Sequence, residues 1–357
     1  MVEKIPEMPY RQMGPTGLKV PLLSFGTMTF VDEKAEDLYI QMIKRCWELG
    51  IKMFDCAESY GRNLSEKLLG RVLQKCNFPR DEIIVSTKIF YSRGPLFSTP
   101  VDTIPKNAYG LSRKHIIEGA DNCLKRLQLP YVDILFCHRP DFSVPMEEIC
   151  RGMNQVIEKG QAFYWGTSEW PAVKIMEAYK VCDKLDLMKP VVEQPQYNML
   201  VREKFEVDYA LLFDEYKMGT TIWSPLAGGF LTGKYTEGIP TDSRLTNAKL
   251  KPLFYDPYMT GEKKEITLGI LKNLKEISDS LKCTPSQLAI AWTMKNVNVS
   301  TVLLGATSLK QLDENYGALK VFSLLTPELS EKIELVLKNK PKQQFDWKFA
   351  KPFPDRR

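Results

Sequence analysis

The chain has 357 residues, 44% hydrophobic and 26% charged, with a net charge of +5. Such a chain can bury a sizeable core, and its charge is too mild and too dispersed to imply a nucleic-acid partner. The eight cysteines form no Cys-x-x-Cys pair, the N-terminus has no apolar signal core, and no run reaches membrane-spanning length. These features argue against a zinc ribbon, a disulfide framework and direct membrane insertion, and predict reduced thiols in a cytoplasmic protein.

In chain order, Tyr10 to Val20 carries Gly14-Pro15-Thr16-Gly17 between short segments, a hairpin signal. Pro21 to Phe25 reads as the first barrel strand. Asp32 is placed to cap a helix running to Leu49, with Leu38, Met42, Cys46 and Leu49 at helical spacing. A second strand delivers Asp55, and Ser65 opens a second helix. A third strand, from Ile83, ends at Lys88. Phe90 to Gly110 is long and rich in Pro, Gly, Ser and Thr, which predicts a functional rim insertion. Ser112 caps a helix through Leu127, and the fourth strand, Val132 to Cys137, delivers His138.

Met146 to Lys159 reads as helix and Ala162 to Gly166 as strand five, leading to Thr167-Ser168. Helix five covers Ala172 to Leu185, and Val191 to Gln194 is strand six. Arg202 to Met218 is read as one helix, Thr220 to Trp223 as strand seven, and Lys234 to about Gly261 as a second long excursion. Helices at Lys263 to Leu281 and Pro285 to Met294 precede strand eight at Val299 to Leu304, and Leu309 to Leu319 is the eighth helix. Eight strand–helix alternations predict one α/β domain over 1–357: a (β/α)8 TIM barrel with an N-terminal β-hairpin and long rim loops. The barrel core spans about 20–320, and a C-terminal helix and basic tail occupy 326–357.

Three successive strands finish on, or next to, an ionisable group: Asp55 with Tyr60 close behind, Lys88, and His138. Each alone is more often a solvated rim charge, a packing tyrosine or a merely hydrogen-bonded histidine. Together at one end of a parallel barrel they favour a site. Carbonyl reduction by hydride transfer needs those residue types. Tyr60 would protonate the oxygen, Lys88 would lower the pKa of that phenol, Asp55 would hold the ammonium, and a neutral His138 would align the oxygen.

Phe54-Asp55-Cys56-Ala57-Glu58-Ser59-Tyr60-Gly61, Ser86-Thr87-Lys88 and Phe136-Cys137-His138-Arg139-Pro140-Asp141 resemble the aldo-keto reductase superfamily. Its voltage-gated potassium-channel β-subunit branch is suggested by the segments from Gly110 to Gly119, Arg126 to Asp133 and Tyr164 to Trp170. The similarity runs from about Tyr10 to Pro341. It implies a catalytic tetrad of Asp55, Tyr60, Lys88 and His138. Animal β subunits generally have Asn at the place of His138, whereas plant-type relatives keep His, which favours reductase competence.

No Gly-x-Gly-x-x-Gly follows a strand, so phosphates would sit instead on the loops after strands seven and eight and on a helix N-terminus. Ser224, Pro225, Leu226 and Gly228 occupy one of these loops, and Gly305 and Thr307 the other. Lys234 and Arg244 could close over them. The resemblance implies NADPH/NADP+ as cofactor. Trp223 would lie on the nicotinamide, Ser168 and Gln194 near its carboxamide, and Gly26, Thr27, Met28 and Asp55 around the strand-one end. Thr307, Gln311, Glu314 and Asn315 would meet the adenosine end.

Two functions are expected from this. One is NADPH-dependent reduction of a small aldehyde or ketone. The other is a regulatory subunit, homotetrameric as the branch implies, of a voltage-gated potassium channel. With about nine residues ahead of the hairpin, a fast pore-blocking arm is not expected. A metal- or carboxylate-dependent hydrolase is disfavoured, because two histidines and no carboxylate pair at adjacent strand ends leave little to build it from.

Overall fold

A computed structural model describes residues 7–92, 105–241, 246 and 251–342, without the side chains of 253 and 254. The turn signal at Gly14 folds β1 (Tyr10–Gln12) antiparallel onto β2 (Lys19–Pro21). Eight further strands have mostly buried residues on both faces, so they need cover on both sides, and they close on themselves with helices outside. They are β3 (Leu23–Gly26), β4 (Met53–Asp55), β5 (Ile84–Ile89), β6 (Val132–Cys137), β7 (Ala162–Ser168), β8 (Val192–Gln194), β9 (Gly219–Ile222) and β10 (Thr301–Leu304). They follow one another in parallel around the barrel, and Val302 of β10 beside Leu23 of β3 completes the circuit. The (β/α)8 barrel with an N-terminal hairpin is therefore the observed fold.

Helices α1 (Glu36–Glu48), α2 (Leu64–Cys76), α3 (Arg113–Leu127), α4 (Met146–Glu158) and α5 (Ala172–Leu185) follow their strands in turn. After β8 comes α6 (Ala210–Asp214), and after β9 come α7 (Lys251–Phe254), α8 (Asp256–Met259), α9 (Lys263–Ser280) and α10 (Pro285–Lys295). Beyond β10 lie α11 (Leu309–Tyr316), α12 (Ala318–Leu324) and α13 (Pro327–Leu337). No described helix is long and apolar enough to cross a membrane.

The hairpin caps the N-terminal end of the barrel. Met13 and Val20 are fully buried in a cluster with Met53, Ile84, Ile134, Phe136 and Val192. Two glycines make this close approach possible. A Cβ on Gly14, whose φ is 55°, would lie 2.4 Å from Val191 O, and one on Gly219 would lie 2.5 Å from Gly14 N.

Several elements differ from the sequence expectation. Asp32 caps a 3-10 turn, Glu33–Ala35, that leads into α1 rather than capping the helix itself. The single helix expected over 202–218 is a π turn, Lys204–Asp208, followed by α6. Side chains account for it: Lys204 reaches Glu169 at 2.8 Å and the Tyr209 hydroxyl donates to Trp170 O at 2.6 Å, both outside the helix. The eighth helix breaks at Gly317, because Gln287 Nε2 caps Glu314 O at 2.9 Å where a Cβ on residue 317 would be 2.3 Å away. The second excursion contains α7 and α8, which Tyr255 and Tyr258 anchor on the Phe230 ring at 5.5 and 5.0 Å between centroids. At the neck of the first excursion Tyr91 pairs with Tyr109 and Gly110 N donates to Phe90 O at 2.9 Å. Residues 93–104 of that loop, like Arg244, lie outside the described residues.

Candidate active site

Because all eight barrel strands run parallel, whatever follows their C-terminal ends shares one rim. Asp55 is the last residue of β4, Lys88 the fifth of β5, and His138 follows β6 directly. Tyr60 opens a 3-10 turn, Tyr60–Asn63, in which Gly61, Arg62 and Asn63 all have positive φ. Two of those three are not glycine, a conformation that the surrounding contacts must hold in place. Asn63 Nδ2 does so by donating to Glu58 O at 2.5 Å.

The Lys88 side chain has no exposed surface. Its ammonium donates to Asp55 Oδ2 at 2.5 Å, to Cys56 O at 2.8 Å and to Tyr60 Oη at 3.2 Å. All three of its donors are thereby used, which a buried ammonium requires. Asp55 is also anchored by Ser86 Oγ at 2.7 Å and by Gln194 Nε2 at 3.2 Å. Ser86 and Lys88 stand two apart on β5, hence on one face, while Thr87 points outward to Glu66 of α2, which Arg126 of α3 pairs with.

The Tyr60 and His138 rings meet edge to face at 5.9 Å, and Tyr91 stands at the same distance from His138 on another side. Burial, the nearby Arg139 and Lys88 push His138 well below the ordinary histidine range, so its ring is neutral at neutral pH. His138 Nδ1 is buried with no hydrogen-bond partner among the described residues. Burial would also discharge Lys88, but Asp55 and the phenol oxygen outweigh it and raise the ammonium above its ordinary value. Tyr60 corrects the expectation of a more acidic phenol. Burial raises it, and the Lys88 charge offsets only part of that.

The residues read as a dinucleotide site line the same rim. Thr27 Oγ1 donates to Asp55 O at 3.0 Å, a Cβ on Gly26 would meet only Leu304 O at 3.5 Å, and Met28 is exposed. Ser168 closes β7 and donates to Gln194 O at 3.0 Å. Gln194 closes β8, and its amide is already engaged by Asp55 and by Thr221 Oγ1 at 3.1 Å. Trp223 follows β9. Ser224, at φ 57°, then accepts from Gly228 N at 3.0 Å, and Pro225 and Leu226 lead into the turn. After β10, Gly305 has open space around it, and Gln311 Oε1 ties back to Thr307 N at 2.9 Å; Glu314 and Asn315 follow one turn on in α11.

Gly229, at φ 106°, tests whether this rim suits a phosphate. A Cβ there would stand 2.8 Å from Lys234 Cε, so the glycine lets the lysine fold across the turn, with its ammonium 4.9 Å over the Tyr235 ring. A cation laid over a glycine turn after β9, and a helix N-terminus at Ser308 after β10, are features of the kind that suit phosphates. Among the described residues no group of three or more metal-binding side chains occurs.

Two contacts were not read from the sequence. Ser86 was available from its two-residue spacing to Lys88. Glu169, which reaches Trp223, gave no pattern, because its contact depends on a left-handed backbone at φ 59°.

The protein-family model described as the aldo/keto reductase family matches residues 22–337. A probable voltage-gated potassium channel subunit beta of Arabidopsis thaliana is 45% identical over 338 residues, covering 94% of this chain and 98% of that protein. One of Oryza sativa subsp. japonica is 43% identical over 339 residues, covering 94% and 98%. A putative voltage-gated potassium channel subunit beta of Schizosaccharomyces pombe is 43% identical over 336 residues, covering 94% of each.

Proposed function

Given that the chain belongs to the aldo/keto reductase family, whose members generally bind NAD(P)H, we propose that it reduces aldehydes or ketones with NADPH. The observation that carries this reading is the Lys88 ammonium, buried and within hydrogen-bond reach of both the Asp55 carboxylate and the Tyr60 hydroxyl. Gly26, Thr27, Met28, Asp55, Ser168, Gln194, Trp223 and the loops from Ser224 to Lys234 and Gly305 to Asn315 would hold the dinucleotide. When bound, it supplies a hydride to the carbonyl carbon.

The chain's own groups manage the charge that then develops on oxygen. With Nδ1 unpartnered, the His138 proton belongs on Nε2, since a buried N–H without an acceptor is the costlier orphan. That N–H would fix the oxygen. Tyr60, kept protonated by its burial, gives its proton to the oxygen. Lys88 then faces a phenolate rather than a phenol, so its attraction is strongest after the transfer, where it lowers the barrier. Asp55, held by Ser86 and Gln194, keeps the ammonium aimed and charged.

Purified protein with NADPH and a panel of simple aldehydes should lose nicotinamide absorbance in proportion to carbonyl added. No carbonyl-dependent loss across the panel removes the proposal. A second reading rests on the names of the relatives: a subunit, in a homotetramer, that attaches to a voltage-gated potassium channel and carries the dinucleotide as a redox sensor. Co-purification with a channel's cytoplasmic domain tests it, and failure to bind any such domain removes it.

A further inference from the structure

Trp223 is tied down twice. Its backbone is bonded on both sides to the stretch after β8, with Trp223 N donating to Pro195 O at 3.0 Å and Tyr197 N donating to Trp223 O at 3.3 Å. Its indole Nε1 donates to Glu169 Oε1 at 2.9 Å. Glu169 follows Ser168 at the end of β7, so the stretches after three neighbouring strands meet at one tryptophan. The carboxylate is itself held at both oxygens: Gln196 N donates to Oε1 at 2.5 Å and Lys204 Nζ reaches Oε2 at 2.8 Å, while the backbone N of Glu169 donates to Gln194 O at 3.3 Å.

The backbone shows that this arrangement is specific. Glu169 stands at φ 59°, where a β-carbon is crowded and glycine would be more comfortable. From that backbone the side chain makes the contacts with Trp223 and Lys204 that a glycine could not make. Burial alone would lift its carboxyl, but Lys204 and the hydrogen bonds from Gln196 and Trp223 hold it below the ordinary range. Lys204 opens the π turn that interrupts the stretch after β8.

We propose that Glu169 is a positioning residue of the dinucleotide site: by accepting from the Trp223 indole N–H it fixes the plane of the ring against which the nicotinamide is laid. This rests on the reading given above, in which Trp223 meets that ring. An indole free to rotate about its side-chain torsions would have to be ordered on each binding event. One already anchored presents its face in advance, so the affinity for the dinucleotide rises without any new contact.

The test uses full-length protein labelled with 5-fluorotryptophan, in which the Trp223 fluorine signal is identified by its loss in Trp223→Phe. Glu169→Gly removes the side chain while suiting the backbone, and Glu169→Gln keeps an oxygen that can accept from the indole. Glu169→Gly should move or broaden the Trp223 signal and weaken NADPH binding, measured by calorimetry, about tenfold, as expected for losing a hydrogen bond to a charged group. Glu169→Gln should restore the signal and bring affinity to within about threefold of wild type. In a Trp223→Leu background, Glu169→Gly should cost nothing more.

Glu169→Gly protein that binds NADPH like wild type, while Trp223→Leu is weakened, overturns the positioning role and leaves the reductase reading standing. The same tenfold loss with and without Trp223 overturns it too. Unchanged binding in Trp223→Leu overturns the positioning role together with the placing of the nicotinamide on Trp223, and no binding by wild type overturns the reductase reading as well. Lys204→Met supplies a second route should Glu169→Gly fold poorly. It should shift the Trp223 signal in the same direction, and an unmoved signal counts against the proposal.

Discussion

Lys88 Nζ donates to Tyr60 Oη at 3.2 Å, yet the phenol is a weaker acid than an exposed tyrosine, because its burial outweighs the ammonium beside it. A proton donor of this kind stays loaded across the neutral range and is discharged only by an oxygen more basic than itself. A nascent alkoxide qualifies, and water does not.

Replacing Tyr60 by Phe deletes that proton and the acceptor of one Lys88 N–H, while the ring keeps its edge against His138. Turnover should fall about 10²- to 10⁴-fold, the usual worth of a positioned general acid, with NADPH affinity unchanged. Stopped-flow absorbance and calorimetry separate the two quantities. Wild-type turnover in Tyr60→Phe would refute the assignment.

Removing Lys88 leaves a carboxylate in a place with almost no solvent, Asp55 being 2% exposed. Lys88→Met should therefore cost about 3–5 kcal/mol of stability, the range for breaking a buried pair on one side. Adding Asp55→Asn should return much of the stability and none of the activity. Urea unfolding of Lys88→Met, Asp55→Asn and the double variant beside wild type reads this directly, and additive losses would contradict it.

His138 is neutral in the fold, whereas the unfolded chain protonates it below about 6.5. The unfolded state thus binds more protons below that value, and His138 should draw stability down as pH falls through it, by at most about 1.4 kcal/mol per unit. The His138→Asn variant should show a correspondingly shallower decline between pH 6.5 and 5 in urea titrations. Parallel declines would mean that the folded protein accepts the proton.

Glu193 behaves in the opposite sense. Burial, offset in part by Thr167 and with Glu169 adding to it, lifts its carboxyl to about 7 from an ordinary 4.5. The fold holds a proton there that the unfolded chain has released, so stability drains as pH rises from 4.5 towards 7. Glu193→Gln should escape that drain and gain about 3 kcal/mol on wild type between pH 4.5 and pH 8. An unchanged difference across this range would show that the carboxyl is ionised throughout.

At the base of the barrel, a methyl on Gly219 would strike Gly14 backbone, which has no flexible end to give way. Gly219→Ala should destabilise by about 1–3 kcal/mol, in keeping with overpacking. Thermal unfolding of this variant should show that loss, and activity at low temperature should survive, since the rim is untouched.

The barrel was legible in the sequence because its signal is repeated: eight apolar runs, each followed by a helix-spaced segment, leave few other folds to consider. The rim position of Asp55, Lys88 and His138 was legible for the same reason, each being the polar stop of an apolar strand. What depends on three-dimensional competition was not. Whether burial or the ammonium wins at Tyr60, and that Gln287 would insert beside Gly317 and end a helix there, are settled by neighbours distant in sequence. Glu169 shows the limit most clearly, since its bond to an indole 54 residues away requires a left-handed turn that no local pattern around it demands.

The hairpin over the N-terminal end makes the barrel a vessel with a floor. Met13 and Val20 stop it from below, so traffic to Lys88 is confined to the side where the strands finish. A macromolecule gripping the base could hold the protein without interfering with turnover, while one seated over the opening would have to stop it. Whether catalysis persists in an assembled complex therefore reports which way up the barrel has been taken.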